Sequence, residues 1–127
     1  MLNARQRYGA ESESLAARLL RQRGYVILET NYRTPLGEID IIARDQDALV
    51  FVEVKARRSN HFGDPKWAVT PRKQRTLSKA ALCYLKATDQ TRARARFDVV
   101  SIRSAVDPPQ VEIVCNAFDQ TAAFFEA

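Results

Sequence analysis

Two acids and one lysine of the 127-residue sequence are spaced so that they could form a reactive site. Glu53 and Lys55 stand two positions apart in the apolar string ALVFVEVKAR, and Asp40 lies in the apolar string EIDII. Because side chains alternate between the two faces of a strand, Glu53 and Lys55 share one face. If the two strings pair as a hairpin, a suitable register brings Asp40 beside Glu53, and the sequence leaves that register open.

The chemistry that suits this trio is metal-assisted hydrolysis of a phosphodiester bond. Neighbouring carboxylates repel each other, and a divalent cation between them removes that penalty. Magnesium is the expected ion, with manganese as a substitute, because it prefers oxygen ligands and keeps several waters when few carboxylates hold it. The Lys55 ammonium would orient the attacking water or offset charge on the phosphoryl group. For an isolated Glu-x-Lys string, an ion pair on an exposed sheet face is the alternative interpretation.

The elements that must position these residues follow from the apolar pattern. One helix is predicted from about Gly9 to Arg23, and a second begins at Thr70-Pro71, which are favourable N-cap and first-turn residues. The string NAFDQTAAFF near the C-terminus is expected to form a short third helix. Five strings rich in β-branched and aromatic residues predict strands, namely YVILETNYR, EIDIIARD, ALVFVEVKAR, RFDVVSI and VEIVC. We therefore expect a single α/β domain over residues 1–127, with helices flanking a central mixed sheet.

Composition narrows the classes of function. The net charge of +5 and the pI of about 9.6 favour a polyanionic partner. No apolar run approaches the roughly 20 residues that span a bilayer, and the N-terminus lacks a secretory pattern, so we expect a cytoplasmic protein without a membrane partner. Cys83 and Cys115 are expected to be buried, reduced thiols. His61 is the single histidine, which disfavours a zinc site or a Ser-His triad.

A longer string carries a family resemblance. GEIDIIARDQDALVFVEVKARR, with GYVILETNYR before it and FGDP, AVT and KQR after it, resembles the YraN family of bacterial proteins. The resemblance covers the chain from about Gly9 to the string NAF. It implies a restriction-endonuclease-like three-layer fold of the PD-(D/E)xK nuclease superfamily, with archaeal Holliday junction resolvases as relatives. It also implies that Asp40 and Glu53 bind metal, that Lys55 is the catalytic lysine, and that Glu13 completes the catalytic set.

The role of Glu13 rests on the resemblance alone. Glu11 lies at a similar angle from the apolar face of the first helix, and the helix dipole favours acids in a first turn, so periodicity leaves the choice open. The family pattern in this helix resembles G-x-x-G-E-x-x-A, and Ser12 stands where the second glycine is expected. The superfamily's proline before the aspartate is replaced by Ile39. Glu38 shares a strand face with Asp40 and is either a further ligand or a solvated acid.

A second set of residues is predicted to contact nucleic acid. Two of them, Lys73 and Gln74, precede the apolar stripe of the second helix by one turn, where related nucleases place a lysine or glutamine directed at the site. Basic residues near them would contact phosphates, although such a stripe is also typical of a solvated helix face. In the loop from Ser59 to Val69, an aromatic such as Trp67 stacks on an unpaired base or anchors the loop. The basic residues of this set are Arg57, Arg58, Arg72, Arg75 and Lys79.

The function expected from these observations is a magnesium-dependent nuclease that acts on DNA, including branched or structured DNA. Two alternatives stay open. One is a nucleic-acid-binding module that keeps the fold and does not cleave, and the other is an RNA-processing factor, since basic charge does not distinguish RNA from DNA. DNA is the favoured partner, and a homodimer is left open.

Overall fold

A computed structural model describes residues 1–58 and 69–119 of the chain. Its elements alternate in the way that predicts an α/β fold, and the five expected strands and two long helices are all present. In chain order they are α1 (Ala4–Gln22), β1 (Val26–Thr34), β2 (Gly37–Asp45), β3 (Ala48–Arg57), α2 (Pro71–Ala87), β4 (Ala95–Arg103) and β5 (Gln110–Phe118).

The five strands form one mixed sheet between two helices. The strand order is β1-β2-β3-β4-β5, and all neighbours are antiparallel except β3 and β4, which are parallel. A parallel pair needs a long crossover, and α2 provides it. Side chains of α1 pack on one sheet face with Val50 and Val52, whereas those of α2 pack with Leu49 and Phe51, which alternate with them along β3. The predicted three-layer arrangement is therefore confirmed.

Both helices begin at side-chain caps. The Asn3 side chain accepts a hydrogen bond from the Gln6 backbone at 2.8 Å, and the Gln6 side chain accepts one from the Asn3 backbone at 3.0 Å. This capping box satisfies two amide groups that the first turn leaves free, so α1 begins more than a turn before the predicted Gly9. Thr70 caps α2 as predicted, accepting from the Lys73 amide at 3.2 Å.

A glycine at the start of β2 lets α2 lie close to the sheet. Gly37 has a φ of +156°, and a Cβ atom built there would lie only 2.7 Å from Cγ2 of Thr76. A side chain at this position would push α2 away, because carbon atoms pack at about 3.5–4.0 Å. The glycine therefore helps to hold the first turns of α2 against β2.

Two sequence predictions need correction. The third helix is wrong at its start, because Asn116 and Phe118 belong to β5, and the string beyond residue 119 lies outside the described residues. Cys83 and Cys115 are free thiols, as predicted, but neither is buried, since Cys83 is half-buried and Cys115 is exposed on a strand with one neighbour.

The loop residues His61, Phe62 and Trp67 also lie outside the described residues. Among the described residues, neither helix is long and apolar enough to cross a membrane.

Candidate active site

The site forms where the two central strands of the sheet separate. The antiparallel pairing of β2 with β3 runs from Asp45 to Ile41 and ends at the Ile41–Val52 pair, one step before Asp40 would lie opposite Glu53. Beyond this point β2 stays paired with β1, and β3 stays paired with β4. The backbone amide of Val54 donates instead to Oδ2 of Asp40 at 2.8 Å. The Asp40 carboxylate thus replaces a strand carbonyl at the fork.

A local change of strand direction accompanies the fork. Strict alternation would place Ile39 and Ile41 on one sheet face, yet Ile39 packs in the α2 core and Ile41 in the α1 core. On β1, between the partners of these two residues, Asn31 has a φ of +52°. Asparagine tolerates this left-handed conformation better than most residues. The kink lies at Asp40 and at the point where β2 leaves β3.

Glu53 is a buried acid with incomplete compensation. It is only 4% exposed, and its Oε2 lies 3.5 Å from Nζ of Lys73 and 3.9 Å from Nζ of Lys55. Burial and the neighbouring Asp40 raise the pKa of Glu53 from 4.5 to about 8, although both ammonium groups act to lower it. A cation close to Glu53 and Asp40 would relieve both the burial and the repulsion. The structure therefore brings Asp40, Glu53 and Lys55 together, with Lys73 of α2 as an additional neighbour.

The structure distinguishes the two candidate acids of α1. Glu11 is exposed, whereas Glu13 is half-buried. Burial raises the pKa of Glu13, the nearby Asp40 raises it further, and a hydrogen bond with Asn31 acts in the opposite direction. Glu13 therefore faces the acidic cluster and Glu11 faces away from it. Glu38 is half-buried, and its Oε2 lies 3.8 Å from Nε of the exposed Arg33 in an ion pair.

Ser12 has the close packing expected of a small residue in α1. It is 9% exposed, and its hydroxyl donates to the Tyr8 carbonyl at 2.8 Å. A serine in place of the family's glycine is therefore compatible with close approach of α1 to the sheet, because its hydroxyl has a hydrogen-bond partner within the helix.

An open cleft of about 690 Å³ lies between α1 and the fork. Its lining includes the acids Glu13 and Asp40 and the cationic residues Arg5, Lys55 and Arg58. A cleft of this size falls within the range typical of ligand sites, roughly 300–1,000 Å³. The mixture of carboxylates and cations suits a phosphate group bound through a metal ion and through direct contacts.

Asp40 and Glu53 are the two acids that would hold a metal ion at the fork. Over residues 1–58 and 69–119, no three acidic, histidine or cysteine side chains lie close enough to hold a metal ion by themselves. Asp40 and Glu53 would therefore provide two ligands and leave the other positions to water and substrate. Magnesium is commonly bound in this way, through one or two carboxylates plus substrate phosphates.

The predicted nucleic-acid contacts divide into two groups. Nζ of Lys73 lies 3.5 Å from Oε2 of Glu53. The side chain of Gln74 instead donates a hydrogen bond to the Val69 carbonyl, just before α2, at 3.0 Å, so it does not contact the acidic residues of the site. Three other predicted contacts, all on α2, are exposed and present their charge to solvent. These are Arg72, Arg75 and Lys79.

The two arginines at the end of β3 differ from each other. Arg57 is half-buried, and its carbonyl accepts hydrogen bonds from the backbone and the hydroxyl of Ser104 at 2.9 and 3.2 Å. Arg58 is exposed, and its guanidinium carbon lies 4.0 Å from the centroid of the Tyr8 ring. Only Arg58 lines the cleft.

The sequence prediction missed Arg5 and Tyr8 because it began the first helix near Gly9. The signal that could have found them is the Asn-x-x-Gln string at residues 3–6, a capping-box pattern that marks an earlier helix start. Asn31 carries no comparable signal, since its role depends on the kink in β1.

The mixed sheet between two helices, with an acidic pair and a lysine where its central strands separate, has a restriction-endonuclease-like fold. The chain belongs to the family described as Uncharacterised protein family UPF0102, the YraN family, whose model matches residues 12–102. The resemblance seen in the sequence is thereby confirmed.

Relatives in this family are similar over almost their whole length. A UPF0102 protein of Desulfosudis oleivorans is 53% identical over 97% of this chain and 98% of its own. One from Geobacter metallireducens is 52% identical over 87% of this chain and 91% of its own, and one from Syntrophomonas wolfei is 48% identical over 87% and 96%.

Proposed function

We propose that the protein is a magnesium-dependent nuclease that hydrolyses phosphodiester bonds of DNA. The observation that carries the proposal is Glu53, a buried carboxylate next to Asp40 whose two ammonium neighbours lie at 3.5 and 3.9 Å. Leaving a charged group buried with imperfect pairing costs several kcal/mol, roughly, so Glu53 either binds a proton or gains from a compensating cation. Glu53 lies where β2 and β3 separate, beside a cleft that is also lined by cationic residues.

Each residue of the site has a distinct part in this proposal. Asp40 and Glu53 would hold the metal ion, which supplies Lewis-acid stabilisation of a phosphoryl oxygen and lowers the pKa of water when bound. Lys55 shares the strand face of Glu53 and would orient the attacking water or stabilise charge on the phosphoryl group. Lys73 supports the ionised form of Glu53 from α2. Glu13, near Asp40, would accept a proton or a hydrogen bond from water.

The surface charge supports a nucleic-acid substrate. The net charge is +5, and the cleft opens beside Arg5 and Arg58. Such charge concentrates polyanions at the protein surface before any specific contact forms. Branched and structured DNAs are the first substrates to test, because the family resemblance includes junction resolvases.

A lysine substitution separates cleavage from binding. Lys55→Met keeps the side-chain volume and removes the charge, so it should retain divalent-ion binding and most DNA affinity while cleavage falls by about a hundredfold or more. Single-turnover rates on single-stranded, duplex, flapped and four-way DNA, and on matched RNA, with magnesium or manganese would measure this. Circular dichroism would confirm that the variant folds, and Lys86→Met, on the last turn of α2, is the matched control.

The outcomes of this experiment separate the classes of function. Wild-type cleavage of RNA alone would favour an RNA-processing factor. If wild type cleaves no substrate with either metal, or if Lys55→Met cleaves as fast as wild type, the nuclease proposal fails. Retained DNA binding would then identify a binding module.

The basic face of α2 gives a second test. Arg72, Arg75 and Lys79 are exposed, and each true phosphate contact should contribute about one unit to the slope of log affinity against log salt. The triple alanine variant should therefore lower that slope by up to about three units, nearly independently of DNA sequence. Fluorescence anisotropy at several salt concentrations would measure it. An unchanged slope would show that this helix face is only solvated.

A further inference from the structure

A stacked tyrosine–arginine pair stands at the rim of the cleft. The guanidinium carbon of Arg58 lies 4.0 Å from the centroid of the Tyr8 ring. Among the described residues, no carboxylate forms a salt bridge with Arg58. Stacking on the ring occupies only the face of the guanidinium group. Its N–H groups point outward in the guanidinium plane and can donate hydrogen bonds to a planar or tetrahedral anion. Arg58 is thus held in place without its hydrogen-bonding capacity being used by another charged side chain.

The Tyr8 ring is itself fixed by contacts to two other elements. Its hydroxyl lies 2.7 Å from Oγ of Ser104, just after β4, and Ser104 is held in turn by the carbonyl of Arg57 at the end of β3. The ring therefore cannot swing freely with α1. Fixing the ring costs side-chain entropy on folding. Less side-chain entropy is therefore lost when Arg58 binds a ligand.

Tyr8 and Arg58 also separate two cavities. Both residues line the catalytic cleft, and both line a second cavity of about 420 Å³, which we call the side cavity. The side cavity is lined partly by apolar side chains, namely Leu15, Ile102 and Pro109, and partly by polar ones, which include Ser12, Ser104 and the acid Glu11. An apolar lining suits a base or sugar, whereas Glu11 disfavours a phosphate inside the cavity and leaves the phosphate to Arg58.

We propose that Tyr8 positions Arg58 to bind the phosphate that links a nucleotide in the cleft to a neighbouring unpaired nucleotide in the side cavity. This inference rests on the proposed function, because it assigns that site a substrate with unpaired nucleotides. Bases of an intact duplex are stacked and paired, so a separate cavity beside the cleft accepts a base only after it has left the stack. Tyr8 is a positioning residue, and Arg58 makes the contact.

The test is a double-mutant cycle on the full chain, read by fluorescence anisotropy in EDTA so that cleavage does not interfere. The probes are a 12-nucleotide single-stranded DNA and the duplex of the same sequence. Tyr8→Leu removes the stacking ring, and Arg58→Lys keeps the charge without the planar group. Each should weaken single-strand binding by about tenfold, and the double variant should be no weaker than either alone, since the two residues act as one unit.

Two further variants distinguish positioning from a loss of folding or of charge. Tyr8→Phe keeps the stacked ring and loses only the contact with Ser104, so it should retain most of the affinity lost in Tyr8→Leu. Arg21→Lys, in the last turn of α1 and away from both cavities, should bind like wild type. Duplex binding should change less than twofold in all of these variants, because it depends mainly on general charge.

Three results would overturn the inference. They are equal affinity of wild type for the two probes, additive effects of Tyr8→Leu and Arg58→Lys, and a Tyr8→Phe variant as weak as Tyr8→Leu. The cleavage assay of Lys55→Met is independent of all three. Absence of cleavage with the single-strand preference intact would therefore end the nuclease proposal and leave this subsite standing.

Discussion

Two buried acids on neighbouring strands differ in how fully the surrounding residues compensate their charge. Asp98 of β4 is fully buried and Glu53 of β3 is 4% exposed. Asp98 accepts hydrogen bonds from Nε of Arg96 at 3.0 Å, from the Tyr25 hydroxyl at 2.8 Å and from the Asn116 amide at 2.9 Å. Among the described residues, Glu53 by contrast has ammonium groups at 3.5 and 3.9 Å and another carboxylate as its neighbour.

The surroundings of Asp98 form a closed network. Arg96 also donates to Oδ2 of Asp45 at 2.7 Å and to the Tyr25 hydroxyl at 3.0 Å. Its hydrogen bond with Asp98 raises the pKa of Arg96 above the ordinary value. Burial raises the pKa of Tyr25, and its contacts with Cys115 and Asp98 add to that shift. Asp98 thus orients Arg96. Both oxygens of Asp98 have donors, so Asp98 and Arg96 of β4 together connect to Tyr25 before β1, to Asp45 of β2 and to Asn116 of β5, and Asp98 needs no cation from solution.

The largest expected effect on stability is at this network. Asp98→Asn should lower the free energy of unfolding by about 3–5 kcal/mol, because it leaves the Arg96 charge without its main partner. Urea denaturation at neutral pH would measure the loss. Asp47→Asn is the matched control, since its ion pair with Arg94 is exposed on both sides and should be worth less than about 1 kcal/mol. A similar small effect for both variants would contradict the structural role of Asp98.

Glu53 should behave in the opposite way. Its folded pKa of about 8 lies above the ordinary 4.5, so the folded protein binds the extra proton, and this group's contribution to stability is lost as the pH rises from about 4.5 through 8. Glu53→Gln removes that loss, so without divalent ions its free energy of unfolding relative to wild type should be more favourable at pH 8 than at pH 5 by about 3 kcal/mol.

Urea denaturation of wild type and Glu53→Gln at pH 5 and pH 8, in EDTA, would test this pH dependence. Glu112→Gln, at an exposed acid of β5, is the control and should show no such difference between the two pH values. If Glu53→Gln were destabilising at pH 8, the two buried acids would not differ in the way their contacts indicate.

The smallest expected effect is stabilisation by magnesium. At ten times the dissociation constant, a bound ion should stabilise wild type by about 1.4 kcal/mol. Asp40→Asn and Glu53→Gln should lose this gain, whereas Asp47→Asn should keep it. At pH 5 the gain should shrink, because the ion must displace the proton from Glu53. Thermal unfolding with and without magnesium would measure it. Equal stabilisation of all four proteins would place the metal elsewhere.

Local chemistry explains the elements that could be predicted. The hairpin strands EIDIIARD and ALVFVEVKAR occur almost where expected, because their β-branched residues and the polar turn between them act over a few residues. Thr70 and Pro71 start α2 as predicted, since a cap depends on its own turn. Placing Glu53 and Lys55 on one strand face likewise required only the two-residue period of a strand.

The separation of β2 from β3 at Asp40 could not be predicted, because register and pairing depend on contacts between distant segments. The choice of Glu13 over Glu11 depends on how α1 docks against the kink at Asn31. Lys73 meets Glu53 because α2 packs against the sheet, with Thr76 of the same helix close to Gly37. The sequence by itself thus determined the two long helices, the strands and the spacing of the acids and the lysine. Tertiary packing decided how deeply Glu53 is buried and how close it lies to Asp40 and to the two lysines, because packing sets the distances on which electrostatic energies depend.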